Sequence, residues 1–304
     1  MVAIPTVSTP RSVATTCPAR AALAGNPSDG YGGAVVAIPV DEMFAIATTT
    51  DADTFHIAAS DRELHRLLDA TAQAFAAEVG ALPPVTLAAS TTIPRSVGLA
   101  GSSALVISAL RSLAAWTGHR WRPIELAQLA LRVETERLGI AAGLQDRLVQ
   151  ATGDLTAMRF DPVGFDVLAR PDDLRLFVAW SPDAAQPSDT VHRSLRRRFD
   201  AGDERVRGAM TELAEQAHIA ARAIEGADLA GLAGAMDRSF DLRCEITDVG
   251  PAQRRLVETG RRARAAVNSA GSGGSVVGLA RSDLHLEQLE SVYREAGAEY
   301  LPLT

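Results

Sequence analysis

The sequence predicts a globular protein that mixes strands and helices, with its chemistry carried by glycine-rich loops between them. Three observations lead there. Strand-like apolar runs and helix-periodic segments both occur along the chain, without internal repeats or a heptad pattern long enough for a coiled coil. The chain has 304 residues, enough for two ordinary domains or one large one. Its 47% apolar and 22% charged content is that of a soluble globular protein.

Charge and composition remove several function classes. The formal net charge is −7, which leaves no basic footprint for nucleic acid or an anionic membrane. All 30 basic residues are arginine, because the chain contains no lysine. That excludes a Schiff-base lysine and a P-loop lysine, and it hands every phosphate or carboxylate contact to arginine. The two cysteines, Cys17 and Cys244, and the six histidines show no metal-ligand spacing, so a zinc site is not expected. No apolar run reaches the ~18 residues that span a membrane. Residues 1–16, rich in Ser, Thr and Pro, read as a loose leader, and a cytoplasmic location is expected.

The first predicted strand, Cys17–Leu23, ends in GNPSDGYGG at residues 25–33. Nine residues with four glycines, a proline, an Asn and an Asp exclude helix and strand. The segment reads either as a long turn or, through Asn26, Ser28, Asp29 and Tyr31, as a loop that holds a polar ligand. Strands are predicted at Ala34–Pro39, Met43–Thr48 and Thr54–Ala58. Between Arg62 and Val79, Leu64, Leu67, Leu68, Phe75 and Val79 recur at helical spacing and mark a scaffold helix.

After a strand at Val85–Ala89 comes GLAGSSAL, residues 98–105, which runs into an apolar helix. Gly98 and Gly101 permit a sharp turn and close approach of a ligand to the backbone. The N–H groups of the first helical turn favour an anion. Ser102 or Ser103 is placed to cap the helix or to turn a hydroxyl toward a metal ion. The same pattern also describes a plain capping device. Pro123 opens a further helix to Leu138. Its Glu134, near the apolar stripe, reads as a rim or ion-pair residue or as a magnesium ligand. In GLQDR, residues 143–147, the Asp is either a helix cap or a positioned base or orienting carboxylate.

The second half predicts strands at Leu155–Phe160 and Leu174–Ala179. HRSLRRRF, residues 192–199, reads as a solvated helix face. Helices are predicted at Asp203–Glu225, Leu229–Asp241 and Ala252–Ala266, with SFDLRCE, residues 239–245, between two of them. GSGGSVVG, residues 271–278, is a second glycine loop entering a strand. A helix at Leu284–Ala296 and a strand at Glu299–Leu303 close the chain.

The ordered set GNPSDGYGG, IPRSVGLAGSSA, GLQD and GSGGSVVG resembles the GHMP small-molecule kinases. SDGYGG, LGIAAGLQDR, VHRSLRRRF and SFDLR make it most similar to the glucuronokinase group of that family, over roughly residues 17–280. The resemblance implies an α+β, two-domain fold. Residues 1–160 would form a mixed-sheet N-terminal domain with a left-handed β-α-β crossover, and residues 161–304 a ferredoxin-like C-terminal domain. It implies that Gly98, Leu99, Ala100, Gly101, Ser102, Ser103 and Ala104 cradle the triphosphate of ATP. Ser103 and Glu134 would hold Mg2+, and Asp146 would take the proton of the acceptor hydroxyl. Arg20 stands where several members carry a lysine, and it can stabilise charge but accepts protons poorly. The acceptor implied is D-glucuronic acid, phosphorylated at its anomeric hydroxyl. Asn26, Ser28, Asp29, Tyr31 and Gly273 would lie around the sugar, with Arg147, Arg196 or Arg243 on its carboxylate. One further departure is an extra residue between Pro94 and the serines. The partner implied is a small sugar or sugar acid, and the chain is expected to be a monomer or homodimer.

Overall fold

A computed structural model describes residues 11–184 and 188–303, with no side chain described at 188–192. Ten residues of the expected leader, 1–10, lie outside that range, whereas residues 12–16 are already strand. β1 (Ser12–Ala24) pairs antiparallel with β2 (Ala34–Asp51). The two strands expected at 34–39 and 43–48 are one. The register jumps from Pro18 opposite Phe44 to Ala19 opposite Val40. The polar Asp41–Glu42 step is therefore a bulge that bends β2 without ending it.

β3 (His56–Ala58) follows, then α1 (Arg62–Val79) and β4 (Val85–Thr91). Asp61 caps α1 by accepting the Leu64 N–H at 2.9 Å, and Leu64, Leu67, Leu68 and Phe75 face the core. β3 and β4 are parallel, the β-α-β unit of the first sheet. Next come α2 (Gly101–Thr117), α3 (Pro123–Arg132), α4 (Gln145–Thr152), β5 (Thr156–Phe160) and β6 (Val163–Val167). The sheet runs β3-β4-β2-β5-β6, with β1 also paired to β2. The boundary expected at residue 160 coincides with the end of β5, but its hairpin partner β6 stays in this sheet.

The second sheet is wholly antiparallel in the order β10-β7-β9-β8. β7 (Arg175–Trp180) leads into α5 (Ser188–Asp200), α6 (Glu204–Glu225) and α7 (Leu229–Ile246). Then follow α8 (Pro251–Arg262), β8 (Ala266–Ser269), β9 (Ser275–Ala280), α9 (Asp283–Glu295) and β10 (Glu299–Leu303). With α5 to α7 set aside, β7-α8-β8-β9-α9-β10 is the expected ferredoxin-like arrangement. SFDLRCE does not separate two helices, since α7 continues through it to Ile246. Leu242 and Arg243 are buried there, so the helix keeps its inner face. α8 stops at Arg262 because residues 266–269 are taken up by pairing with β9.

Apolar side chains of β1 and β2 share one buried core with α6, α7 and the Leu176 and Val178 face of β7. Hydrogen bonds also join the two sheets. The Ala22 N–H donates to Ala270 O at 2.9 Å, and Asn268 Nδ2 donates to Leu23 O at 3.0 Å. The loops at the ends of β1, β4 and β8 are thereby brought together. No helix among the described residues is long and apolar enough to cross a membrane.

Candidate active site

The chain enters and turns through the 98–105 loop on three left-handed residues, Ser96 just before it and Gly98 and Ala100 within it, with φ of 60°, 74° and 62°. Ala100 is the N-cap of α2, and no side chain caps it. Neither Ser102 nor Ser103 has the expected capping role. The first helical bond is Ala104 N–H to Ala100 O, at 3.1 Å, so the N–H groups just before it have no partner within the helix. Ser102 is exposed beside them. Ser103 is buried and donates its hydroxyl to Gln150 Oε1 at 2.6 Å, while Gln150 Nε2 donates to Ala100 O and Pro18 O.

The second glycine loop lies directly against the first. A Cβ on Gly98 would stand 2.7 Å from Gly273 O, and one on Gly274 would stand 2.5 Å from Val97 Cα. Only glycine allows this approach. Ser275 Oγ donates to Val97 O at 2.6 Å, and Gln253 Oε1 accepts the Gly274 N–H at 2.9 Å.

Arg20, in the buried stretch of β1, spans three motifs. Its Nη1 donates to Gly98 O and Ala270 O at 2.8 and 2.7 Å, and its Nε to Asp146 Oδ1 at 2.6 Å. Asp146 stands in the first turn of α4 with its side chain 19% exposed, open enough to meet a ligand. The next residue, Arg147, is buried. Its Nε and Nη2 both donate to Glu134 Oε2, the former at 2.8 Å, and its Nη1 donates to Gly143 O at 2.8 Å. Nη1 also lies 3.5 Å from Asp146 Oδ2. Burial works against the charge of Arg147, but the Glu134 and Asp146 carboxylates overcome it and push its pKa up. Glu134 is presented by a π turn, Val133–Arg137, closed by the Leu138 N–H on Val133 O at 3.2 Å.

The 25–33 loop contains a 3-10 turn, Ser28–Tyr31, and a cis Asn26–Pro27 bond. Ser28 turns inward, its hydroxyl donating to Ala34 O at 2.8 Å. Asn26 is buried and accepts from Asn268 Nδ2 at 3.3 Å. Asp29 packs so closely on the segment leading to α4 that a Cβ on Gly143 would collide with its Oδ2. Burial first and the Asp146 carboxylate second push the Asp29 pKa from 3.8 to about 7, against the opposing Gly30 N–H, Arg20 and Arg147. Tyr31 lies outward, its ring centroid 4.7 Å from that of Phe199 and the Arg196 guanidinium 4.4 Å above it. Arg196 also donates to Gly30 O and pairs with Asp200 at 3.7 Å.

Arg243 reaches the second glycine loop from α7. Its Nη1 and Nη2 donate to Gly271 O and Ser272 O at 2.8 and 2.7 Å. Among the described residues no carboxylate pairs with it. Burial, reinforced by repulsion from Arg20, brings its pKa down to about 10.

Arg20, Asp29, Glu134, Asp146, Arg147, Arg243 and the two glycine loops thus form one charged, partly buried cluster, with Tyr31 and Arg196 on its rim. Two members were not anticipated from the sequence. Gln150 shares the α4 face of Asp146 through its i+4 spacing, the one local signal for it. Gln253 holds the second glycine loop from another helix and carries no local signal. Ser103 gives its proton to Gln150 and keeps its lone pairs, and Glu134 adds a carboxylate oxygen. Such hard oxygen donors suit magnesium. Among the described residues no group of three or more His, Cys, Asp or Glu is placed to hold a metal, so phosphate and water would have to complete its shell.

Residues 66–154 match the family described as GHMP kinases N terminal domain. The chain is 38% identical over 205 residues to probable glucuronokinase 2 of Arabidopsis thaliana, covering 63% of this chain and 56% of that protein. It is 33% identical over 231 residues to glucuronokinase 1 of the same plant, covering 72% and 64%. The chain therefore spans less than two thirds of the length of either relative. The structure of Streptococcus pneumoniae phosphomevalonate kinase in complex with phosphomevalonate and AMPPNP superposes with a TM-score of 0.80 at 16% identity. It covers 95% of this chain and 99% of that one, a likeness of fold.

The raised Asp29 pKa has a signed consequence. Between pH ~3.8 and ~7 the folded state holds more of this proton than the unfolded state, so stability falls as pH rises through that window. Asp29→Asn removes the effect. The melting temperature of the variant relative to the native chain is expected to climb from pH 4 to pH 7 and level off above, read by thermal unfolding across pH. A difference that does not change with pH would contradict the buried, repelled carboxyl.

Proposed function

We propose, starting from the chain's membership of the GHMP kinases through residues 66–154, that it is an ATP-dependent kinase for the anomeric hydroxyl of D-glucuronic acid. The product would be the sugar 1-phosphate. One observation carries this reading: Arg20 bridges the Asp146 carboxylate to the backbone of Gly98 in the first glycine loop and of Ala270, the residue just before the second. That joins a proton acceptor to an anion cradle within a single hydrogen-bonded unit. The similarity to the two plant glucuronokinases supports the substrate, and the loop geometry supports ATP as donor.

In this reading the triphosphate lies over the N–H groups at the start of α2, along Gly98 to Ala104. Ser103 and Glu134 would hold Mg2+, which when bound neutralises phosphate charge. Asp146 receives the proton of the anomeric hydroxyl as its oxygen bonds to the γ-phosphorus and the bond to ADP breaks. Arg20 orients Asp146 and sets positive charge beside the transferring group. Phosphoryl transfer depends chiefly on such positioning and charge stabilisation. Asp29 and Tyr31 line the sugar loop, Asn26 and Ser28 shape it through internal hydrogen bonds, and Gly273 lies in the second glycine loop against Gly98.

Of the three arginines considered for the sugar carboxylate, Arg243 is favoured. Arg147 already serves Glu134, and Arg196 stacks on Tyr31 beside Asp200. Arg243 is a buried cation holding only carbonyl oxygens, with guanidinium N–H groups left for a carboxylate.

Purified chain with Mg-ATP is expected to release ADP with glucuronate in preference to neutral sugars. Arg243→Gln is expected to raise KM for glucuronate by at least ~10-fold, from the loss of charged hydrogen bonds, with KM for ATP little changed. No ADP release with any uronate would overturn the substrate reading. Asp146→Asn should lower kcat by at least ~10²-fold while ATP binding, read by calorimetry, persists. Near-native turnover in that variant would remove Asp146 from the mechanism.

A further inference from the structure

The Glu134 side chain is 2% exposed and that of Arg147 is 5% exposed, so this ion pair is closed off from water. A carboxylate buried that deeply requires a counter-charge at all times. Glu134 is also a proposed ligand of a divalent cation, and the inference below rests on that reading. The two demands conflict, because a guanidinium already sits on Oε2 through two N–H groups. The rest of the same fork points elsewhere. Nη1 donates to Gly143 O at 2.8 Å and stands 3.5 Å from Asp146 Oδ2.

We infer that Arg147 is a resident counter-cation of Glu134 that makes the nucleotide-free chain a poor binder of divalent cations, so that the metal enters with the phosphates. A divalent ion on the Glu134 carboxylate lies next to a guanidinium in a water-poor setting, where like charges repel strongly. Nucleotide phosphates supply the negative charge that offsets the repulsion. Arg147 has a second carboxylate, Asp146, within reach of its fork, so it can keep a partner when Glu134 takes the ion. Arginine suits this role because its planar fork serves two acceptors at once. Arg147 is thus a positioning residue that links the filling of the metal site to the placement of Asp146.

The test uses the full chain and Mn2+, with free ion followed by electron paramagnetic resonance in the absence of nucleotide. Arg147→Gln is expected to bind Mn2+ at least ~10-fold more tightly than the native chain, since the repulsion is gone. Arg147→Lys, which keeps the charge, is expected to stay weak. Equal affinity of the native chain and Arg147→Gln would overturn the inference.

A second measurement on the native chain covers the case in which Arg147→Gln does not fold. The Arg147 Nε–H resonance, identified by its loss in Arg147→Lys, is expected to be broadened by Mn2+ only when AMPPNP is present. Equal broadening with and without nucleotide would also overturn the inference. No broadening in either state would instead remove Glu134 as the metal ligand, a failure of the underlying reading.

Discussion

The bond from Arg20 to Asp146 is the constraint on which the site depends. Arg20 is almost fully buried, and its guanidinium reaches three chain segments far apart in sequence, at Gly98, Asp146 and Ala270. Each acceptor lies at a joint of the fold: the loop before α2, the first turn of α4 and the end of β8. Loss of any one would leave charged N–H donors buried without a partner, a cost of the order of 1–3 kcal/mol or more. The pair therefore fixes Asp146 relative to the 98–105 loop, and it does so from β1, which is anchored on both sheets.

A chain without lysine builds its site from guanidinium forks, and the geometry reflects that choice. Arg20, Arg147 and Arg243 each hold two or more acceptors in a fixed plane, which an ammonium on a flexible stem would not fix. The carboxylates that balance them are unevenly shared. Glu134 and Asp146 answer Arg147 and Arg20, while Asp29 holds its proton into the neutral range and Arg243 meets only carbonyl oxygens. The cluster consequently carries an excess of positive charge at its centre, which favours anions there.

How legible this was in sequence varies with the range of the interaction. α1 was readable to its ends, because the Leu64–Phe75 stripe is a local signal, and the structure adds an Asp61 cap that the spacing alone did not mark. The tight turn at 98–105 was readable from its glycines, and Gly98 is needed there both for its φ of 74° and for contact with Gly273. β6 was missed because it is a short edge strand whose Val163 and Val167 remain exposed, so no buried alternation marks it. α7 was cut short because Asp241 and Arg243 interrupt the apolar pattern, and Arg243 is buried only through carbonyl oxygens 28 and 29 residues away. The polar density of the 25–33 loop was real, but sequence could not divide it. Asn268 and Ala34 O occupy Asn26 and Ser28, whereas Asp29 packs toward Gly143 and Tyr31 toward Phe199 and Arg196.

The binding mode is tested most directly by a crystal structure of the chain with a non-hydrolysable ATP analogue and D-glucuronate. The expected complex has the triphosphate at the start of α2, the anomeric oxygen hydrogen-bonded to Asp146 and the sugar carboxylate on Arg243. A sugar bound between these loops with a different hydroxyl facing Asp146, or bound elsewhere, would contradict phosphorylation at the anomeric position.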